Sequence, residues 1–313
     1  MSIYGLHKLA SLIALAVLLA SCMAPTPPPQ PTVTPTSESL ILTDSRGQGV
    51  QVPREVRHIV SLAPSNTEIA FALGLGDRVV GVTEFCDYPE EAKKIEKVGG
   101  FMMDLNLEKI VSLAPDLVLA MEGVPEVVAK LEEVGITVLV LHPTDLESIY
   151  HTIELVGQAA GAEEAAQDLI ALMREKVEGV TTGIGGAAER PKVFYELDAT
   201  DPAKPYTAGR NTWHDQFIRL AGGVNIAGEV DTQWVQFSTE EIISQDPAII
   251  LLGDANFGVT ADDVAQRPGW QVITAVRNGA VYPIDDNLIS RPGPRVVEGI
   301  EALAGTIHPE LFK

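Results

Sequence analysis

The chain has 313 residues, a formal net charge of −21 and a pI near 4.6, so it is long enough for two modest α/β cores. Such acidity argues against nucleic acid or an anionic membrane surface as the main partner, and by itself describes a well-solvated surface. With two cysteines in all, no disulfide framework is available.

Residues 1–22 read as a targeting segment. Lys8 precedes an apolar run from Leu9 to Ala20, too short for a spanning helix of roughly 20 residues, and the run ends Leu-Leu-Ala-Ser-Cys. Small residues directly before Cys22 match a bacterial lipoprotein signal, in which cleavage leaves Cys22 as the lipid-bearing N-terminus. Cys86 then has no partner. Residues 23–38 are rich in proline and threonine, cannot build a core, and are expected to act as an extended tether of up to about 50 Å.

An N-terminal α/β lobe is expected over 39–160. It opens with a hairpin of Leu40 to Leu42 and Val50 to Val52, followed by a buried strand from His58 to Pro64. Ser65 and Glu68, three apart, read as a capping box for a helix through Leu73. Strands follow at Val79 to Thr83, Leu117 to Met121 and Val138 to Leu141, with helices at Leu105 to Ala114 and Pro125 to Val134. The stretch from Asp145 to Thr182 has helical apolar spacing, broken only at Gly161. Its second helix, about Ala162 to Val180, lies in the linking segment 161–183. The second lobe, 184–313, repeats the pattern. It has strands at Lys192 to Glu196, Ile249 to Leu252 and Val281 to Ile284, a helix capped by Asn211 or Thr212, a helix at Glu240, and a last helix from Pro294 to Ile307. Alternation of this kind predicts an α/β fold of two lobes with mostly parallel sheets.

Two segments echo each other: LNLEKIVSLAPDLVLA from Leu105 and FSTEEIISQDPAIILL from Phe237. Each puts a glutamate, Glu108 or Glu240, in the first turn of a short helix, then a proline and a buried strand. A carboxylate at a helix N-terminus is favourable by about 0.3–1 kcal/mol, which explains either residue alone. Duplication adds a functional reading, one docking carboxylate per lobe on a two-fold partner.

Large apolar side chains at strand ends are the candidates for a ligand cleft: Phe85, Phe101, Met121, Tyr206 and Trp234. Core packing is the plainer role for each, and also for Trp213 at its helix start. Cys86 reads as a small, half-buried hydrophobe. His58, His142, His151, His214 and His308 show no metal-ligand spacing, so no metal site is expected. Neither a G-x-S-x-G elbow nor an H-E-x-x-H helix occurs, so no enzyme is indicated.

The small residues before Cys22, IVSLAPSNTEIAFALG, the Asp87-Tyr88-Pro89 motif, NLEKIVSLAPDLVLA and YTAGRNTWHDQF with LAGGVNIAG together resemble the periplasmic substrate-binding proteins of ABC importers. The branch is the one with a rigid helical backbone that serves cobalamin, ferric siderophores and haem, and the likeness is greatest to its cobalamin-binding members, over about residues 56 to 313. The resemblance implies two Rossmann-like lobes joined by one long backbone helix, with the ligand between them. It implies ring-stacking roles for Phe85, Phe101, Tyr206 and Trp234 and polar roles for Asp286 and Arg291. Met121 stands where those relatives place tryptophan. Glu108 and Glu240 stand where the family docks on its permease. The implied protein is a lipid-anchored monomer, outside the cytoplasmic membrane, that passes a corrinoid to a permease and its ATPase subunits. A ferric siderophore or haem is the alternative ligand, and a sensing lipoprotein the alternative role. No cofactor is implied.

Overall fold

The computed structural model describes residues 39–100 and 104–312. The targeting segment, Cys22, the tether and Phe101 lie outside the described residues. Among the described residues no helix is long and apolar enough to cross a membrane.

Strands β1 (Leu40–Thr43) and β2 (Gly49–Val52) form the expected antiparallel hairpin. Strand β3 (Ile59–Ser61) is shorter than expected, because Ala63 is already the N-cap of helix α1 (Pro64–Ala72) and Pro64 is its first residue. Proline at the first helical position loses no hydrogen bond and has the right φ. The start therefore falls before Ser65, which makes no capping bond. The expected Ser65–Glu68 capping box is not formed, and Glu68, one turn further in, is buried.

The first half continues with β4 (Val79–Val82), α2 (Leu107–Ser112), β5 (Leu117–Met121), α3 (Pro125–Glu133) and β6 (Val138–Leu141). Asn106 caps α2 through the Lys109 amide at 2.9 Å, so this helix is shorter at both ends than its apolar pattern suggests. These strands make a four-stranded parallel sheet in the order β4-β3-β5-β6. Strand β5 is buried along nearly its whole length, which explains its unbroken Leu-Val-Leu-Ala run.

Helix α4 (Leu146–Ala160) starts at Asp145, whose capping box uses Ser148, and stops where Gly161 turns left-handed at φ 68°. Helix α5 (Glu163–Ile184) then runs for 22 residues, roughly 33 Å. It continues past the expected end at Val180. Gly183 lies within this helix; a Cβ there would meet the Phe312 ring at 3.1 Å, so the glycine admits the aromatic ring near the end of the chain.

In the second half, β7 (Lys192–Glu196), β8 (Tyr206–Ala208), α6 (Trp213–Leu220), β9 (Val224–Asn225) and β10 (Trp234–Gln236) come first. Then follow α7 (Thr239–Gln245), β11 (Ile249–Leu252), α8 (Ala261–Gln266), α9 (Thr274–Arg277), β12 (Val281–Pro283) and α10 (Val296–Ile307). The sheet is again parallel, in the order β12-β11-β7-β9, while β8 and β10 form a separate antiparallel ribbon with Trp234 opposite Ala208.

One continuous apolar core joins the halves. It includes Ile153 and Val156 of α4, Met173 of α5, Tyr195 of β7 and Leu303 of α10. The opposite face of each sheet has its own smaller core, around Val118 and Leu131 in the first half and around Phe194 and Trp270 in the second.

Candidate functional site

Parallel strands deliver all their C-terminal ends to one edge, where loops have no ladder to complete and are free to hold a ligand. In the first half that edge presents Ala63 and Pro64 after β3, Met121 and Glu122 after β5, and Leu141 and His142 after β6. Asn66 fixes the start of α1 to this edge by donating to the Leu119 and Ala120 carbonyls at 3.3 and 3.2 Å. Facing them from the second half are Thr212 and Trp213 at the start of α6, Gln233 and Trp234 of the ribbon, and Ser290 and Arg291. Together they line an open, mainly apolar cavity of about 680 Å³, within the range of small-molecule and cofactor sites.

Phe85, Met121, Trp234 and Arg291, four of the candidates, meet in this wall. Phe85 is 55% and Trp234 46% exposed, so neither is a core side chain. Tyr206 lies on β8 outside the lining. Cys86, next to Phe85, turns the other way. It is buried, and its Sγ lies 3.1 Å from the Thr83 hydroxyl.

Trp213, for which packing is the plainer expectation, is part of the wall. Its Nε1 donates to the Ile289 carbonyl at 2.9 Å and its ring stacks on His214 at 5.2 Å. Trp234 meets both rings edge-on, at 6.1 Å from Trp213 and 5.4 Å from His214. The aromatic rings of the wall thus hold one another through their own contacts.

Asp286 does not line the cavity; it stands behind the wall. Its Oδ1 accepts from the Tyr195 hydroxyl and the Ser290 hydroxyl, both at 2.7 Å. Burial raises its pKa against the lowering effect of those two donors. Since the Ser290 proton points to Asp286, the Ser290 oxygen accepts from His214 Nε2 at 2.9 Å, which fixes the His214 tautomer. Desolvation lowers the His214 pKa to about 3, so the ring is neutral, and its Nδ1 is buried without a partner. Asp286 is therefore tied to the cavity wall through Ser290.

Arg291 joins the cavity to a partly buried ion network. Its guanidinium reaches Glu68 Oε1 at 3.4 Å and also bonds Asp87, while Arg295 bonds both Glu68 oxygens. Burial works to raise the Asp87 pKa, but the hydrogen bond and charge of Arg291 outweigh it and leave it lowered. Two carboxylates and two guanidiniums make this network neutral. The other ionisable lining residues, His142 and Glu122, pair with each other at 2.8 Å.

Glu108 and Glu240 are both exposed and both the second residue of their helices, α2 and α7. Neither does the capping, which falls to Asn106 in α2 and to the Ser238–Glu241 pair in α7. Among the described residues neither carboxylate makes a hydrogen bond or an ion pair.

Sequence reasoning missed Ser290, Gln233 and His142 as cavity residues. His142 had a usable signal, since it directly follows the buried run Val138–Leu141.

Two parallel α/β halves, a helical connection and an aromatic-walled cavity between strand ends are the features of a solute-binding protein. The chain belongs to the periplasmic binding protein family, whose model matches residues 59–288. It is 39% identical to an ABC transporter substrate-binding lipoprotein of Bacillus subtilis (strain 168), YvrC, over 97% of each chain. It is 32% identical to a cobalamin-binding protein of Halobacterium salinarum (strain ATCC 29341 / DSM 671 / R1), over 95% of this chain and 83% of that one. Among solved structures it is similar to the apo form of the periplasmic haem-binding protein RhuT of Roseiflexus sp. RS-1. There the TM-score is 0.73 at 29% identity, covering 81% of this chain and 98% of that one. The chain is thus the substrate-binding protein of an ABC transporter of the class serving vitamin B12, haem and siderophores. It is not an enzyme, and it works with a membrane permease and its ATPase.

Proposed function

We propose that this protein captures a corrinoid between its two lobes and delivers it to the permease, as a monomer anchored outside the cytoplasmic membrane by lipid on Cys22. The charge of the cavity carries the choice of ligand. Haem brings two propionates and ferric siderophores are commonly anionic, so either would need cations free to meet them. Among the described lining residues the cationic candidates are Arg291 and His142, and both already face carboxylates. Burying further anions there without new partners is costly. A corrinoid rimmed by neutral amides asks instead for apolar walls with scattered polar groups, which Trp213, Trp234, Phe85, Met121, Asn66 and Gln233 offer.

The proposed ligand-binding set is Phe85, Phe101, Met121, Tyr206, Trp234, Asp286 and Arg291, with Trp213 and Ser290 added by their place in the wall and Asp286 acting through Ser290. The domain division follows the same reading: signal 1–22, tether 23–38, lobes 39–160 and 184–313, and a linking helix between. A relative that is a lipoprotein supports the anchor.

Calorimetry of the exported chain against cyanocobalamin, haem and an anionic ferric catecholate siderophore tests the ligand. Micromolar or tighter binding of cyanocobalamin alone is expected. Binding of haem or the siderophore with no response to cyanocobalamin overturns the corrinoid assignment.

A further inference from the structure

Strands β5 and β6 run parallel with Met121 opposite Leu141. The next residue on each strand is Glu122 and His142, so the register that builds the sheet also brings these two side chains together beyond its edge. His142 Nε2 lies 2.8 Å from Glu122 Oε2, and both residues line the ligand cavity. A carboxylate oxygen only accepts, so Nε2 carries a proton, and in the neutral ring Nδ1 is the nitrogen with the lone pair. An imidazole held by a carboxylate through one nitrogen, with the other free, is the arrangement in which histidine binds metals. The described residues hold no group of three or more His, Cys, Asp or Glu side chains able to bind a bare ion. A single imidazole suffices where a macrocycle already supplies the other donors.

We propose that His142, oriented by Glu122, is an axial ligand to the metal of the macrocycle bound in the cavity. The inference rests on the corrinoid reading and deepens it, because it makes the open axial position of the cobalt part of what is recognised. The step is a ligand exchange. The cobalt–water bond of an aquocorrinoid breaks, a bond from His142 Nδ1 to cobalt forms, and the water leaves to solvent. No electron is transferred, and the proton stays on Nε2, donated to the Glu122 carboxylate.

The test uses the full-length protein in detergent with two probes, aquocobalamin and cyanocobalamin. Wild-type protein is expected to shift the visible bands of aquocobalamin to those of an imidazole adduct. His142→Ala should abolish the shift, added imidazole should restore it, and Glu122→Gln should weaken aquocobalamin binding by about 10-fold. Cyanocobalamin, which has no exchangeable water, should lose far less affinity in His142→Ala than aquocobalamin does, since it forfeits only a wall contact. Both residues are well exposed, with side chains 40% and 64% accessible, so the variants should fold. Tight binding of aquocobalamin with unmoved bands, or the same shift in His142→Ala, overturns the axial ligand and leaves the corrinoid reading standing. Failure of both probes to bind wild type overturns the corrinoid reading and this inference with it.

Discussion

Arg295 holds both carboxylate oxygens of Glu68, at 2.9 and 2.7 Å, across 227 positions of sequence. Glu68 belongs to the first helix of one half and Arg295 immediately precedes the last helix of the other. The pair is therefore a clamp between halves, set beside Arg291 on the cavity wall.

Glu68→Ala should destabilise the fold markedly. The Arg291 and Arg295 side chains are only 15% and 13% exposed, and removing the carboxylate leaves both partly buried charges under-compensated. Breaking a buried pair by deleting one partner costs about 3–5 kcal/mol. The lower figure is expected here, since Asp87 still faces Arg291. Urea denaturation measures it, and a loss below about 1 kcal/mol would show that solvent already screens the clamp.

Trp234→Ala should act on binding and hardly on stability. The ring is 46% exposed, so little core is lost, yet it forms the cavity wall with Trp213. Removal of an aromatic anchor is expected to cost about 2 kcal/mol of affinity, roughly 30-fold in Kd. Calorimetry and thermal melting together check it. A large fall in Tm with unchanged affinity would make the residue structural.

Asp254 gives stability a pH dependence. Burial, with the Glu196 charge beside it, raises its pKa to about 7, and Oδ1 has no hydrogen-bond partner. Between about pH 4 and 7 the folded state keeps a proton that the unfolded state has lost, so this residue's contribution falls as pH rises. It is fully present below the ordinary carboxyl value of 3.8 and lost above about 7. Asp254→Asn should remove that falling limb. The variant should be more stable than wild type at pH 8 and similar to it at pH 4, as read by denaturation at the two pH values. Equal effects at both would dismiss the titration.

Glu108→Lys combined with Glu240→Lys should abolish stimulation of the transporter ATPase while leaving ligand affinity unchanged. Both carboxylates are exposed, and neither is engaged within the described chain. Charges of this kind steer and register a transient complex rather than tighten it. Normal stimulation by the double variant in proteoliposomes would rule out the docking role.

The sequence by itself determined the α/β alternation, the helix break at Gly161 and the paired glutamates of α2 and α7. These are decided within a few residues, by apolar period, by capping oxygens and by the conformations open to glycine and proline. It misjudged Glu68 for the same reason: Ser65 and Glu68 have capping spacing, but Pro64 starts the helix two residues earlier. Only the tertiary structure decided where the buried carboxylate found its cations, since Arg291 and Arg295 lie more than 220 positions away. It also decided that Trp213 faces the cavity, that Asp286 stands behind Ser290, and that Glu122 and His142 meet. A side chain's neighbours across two sheets depend on strand order and register, and no local rule of spacing carries that information.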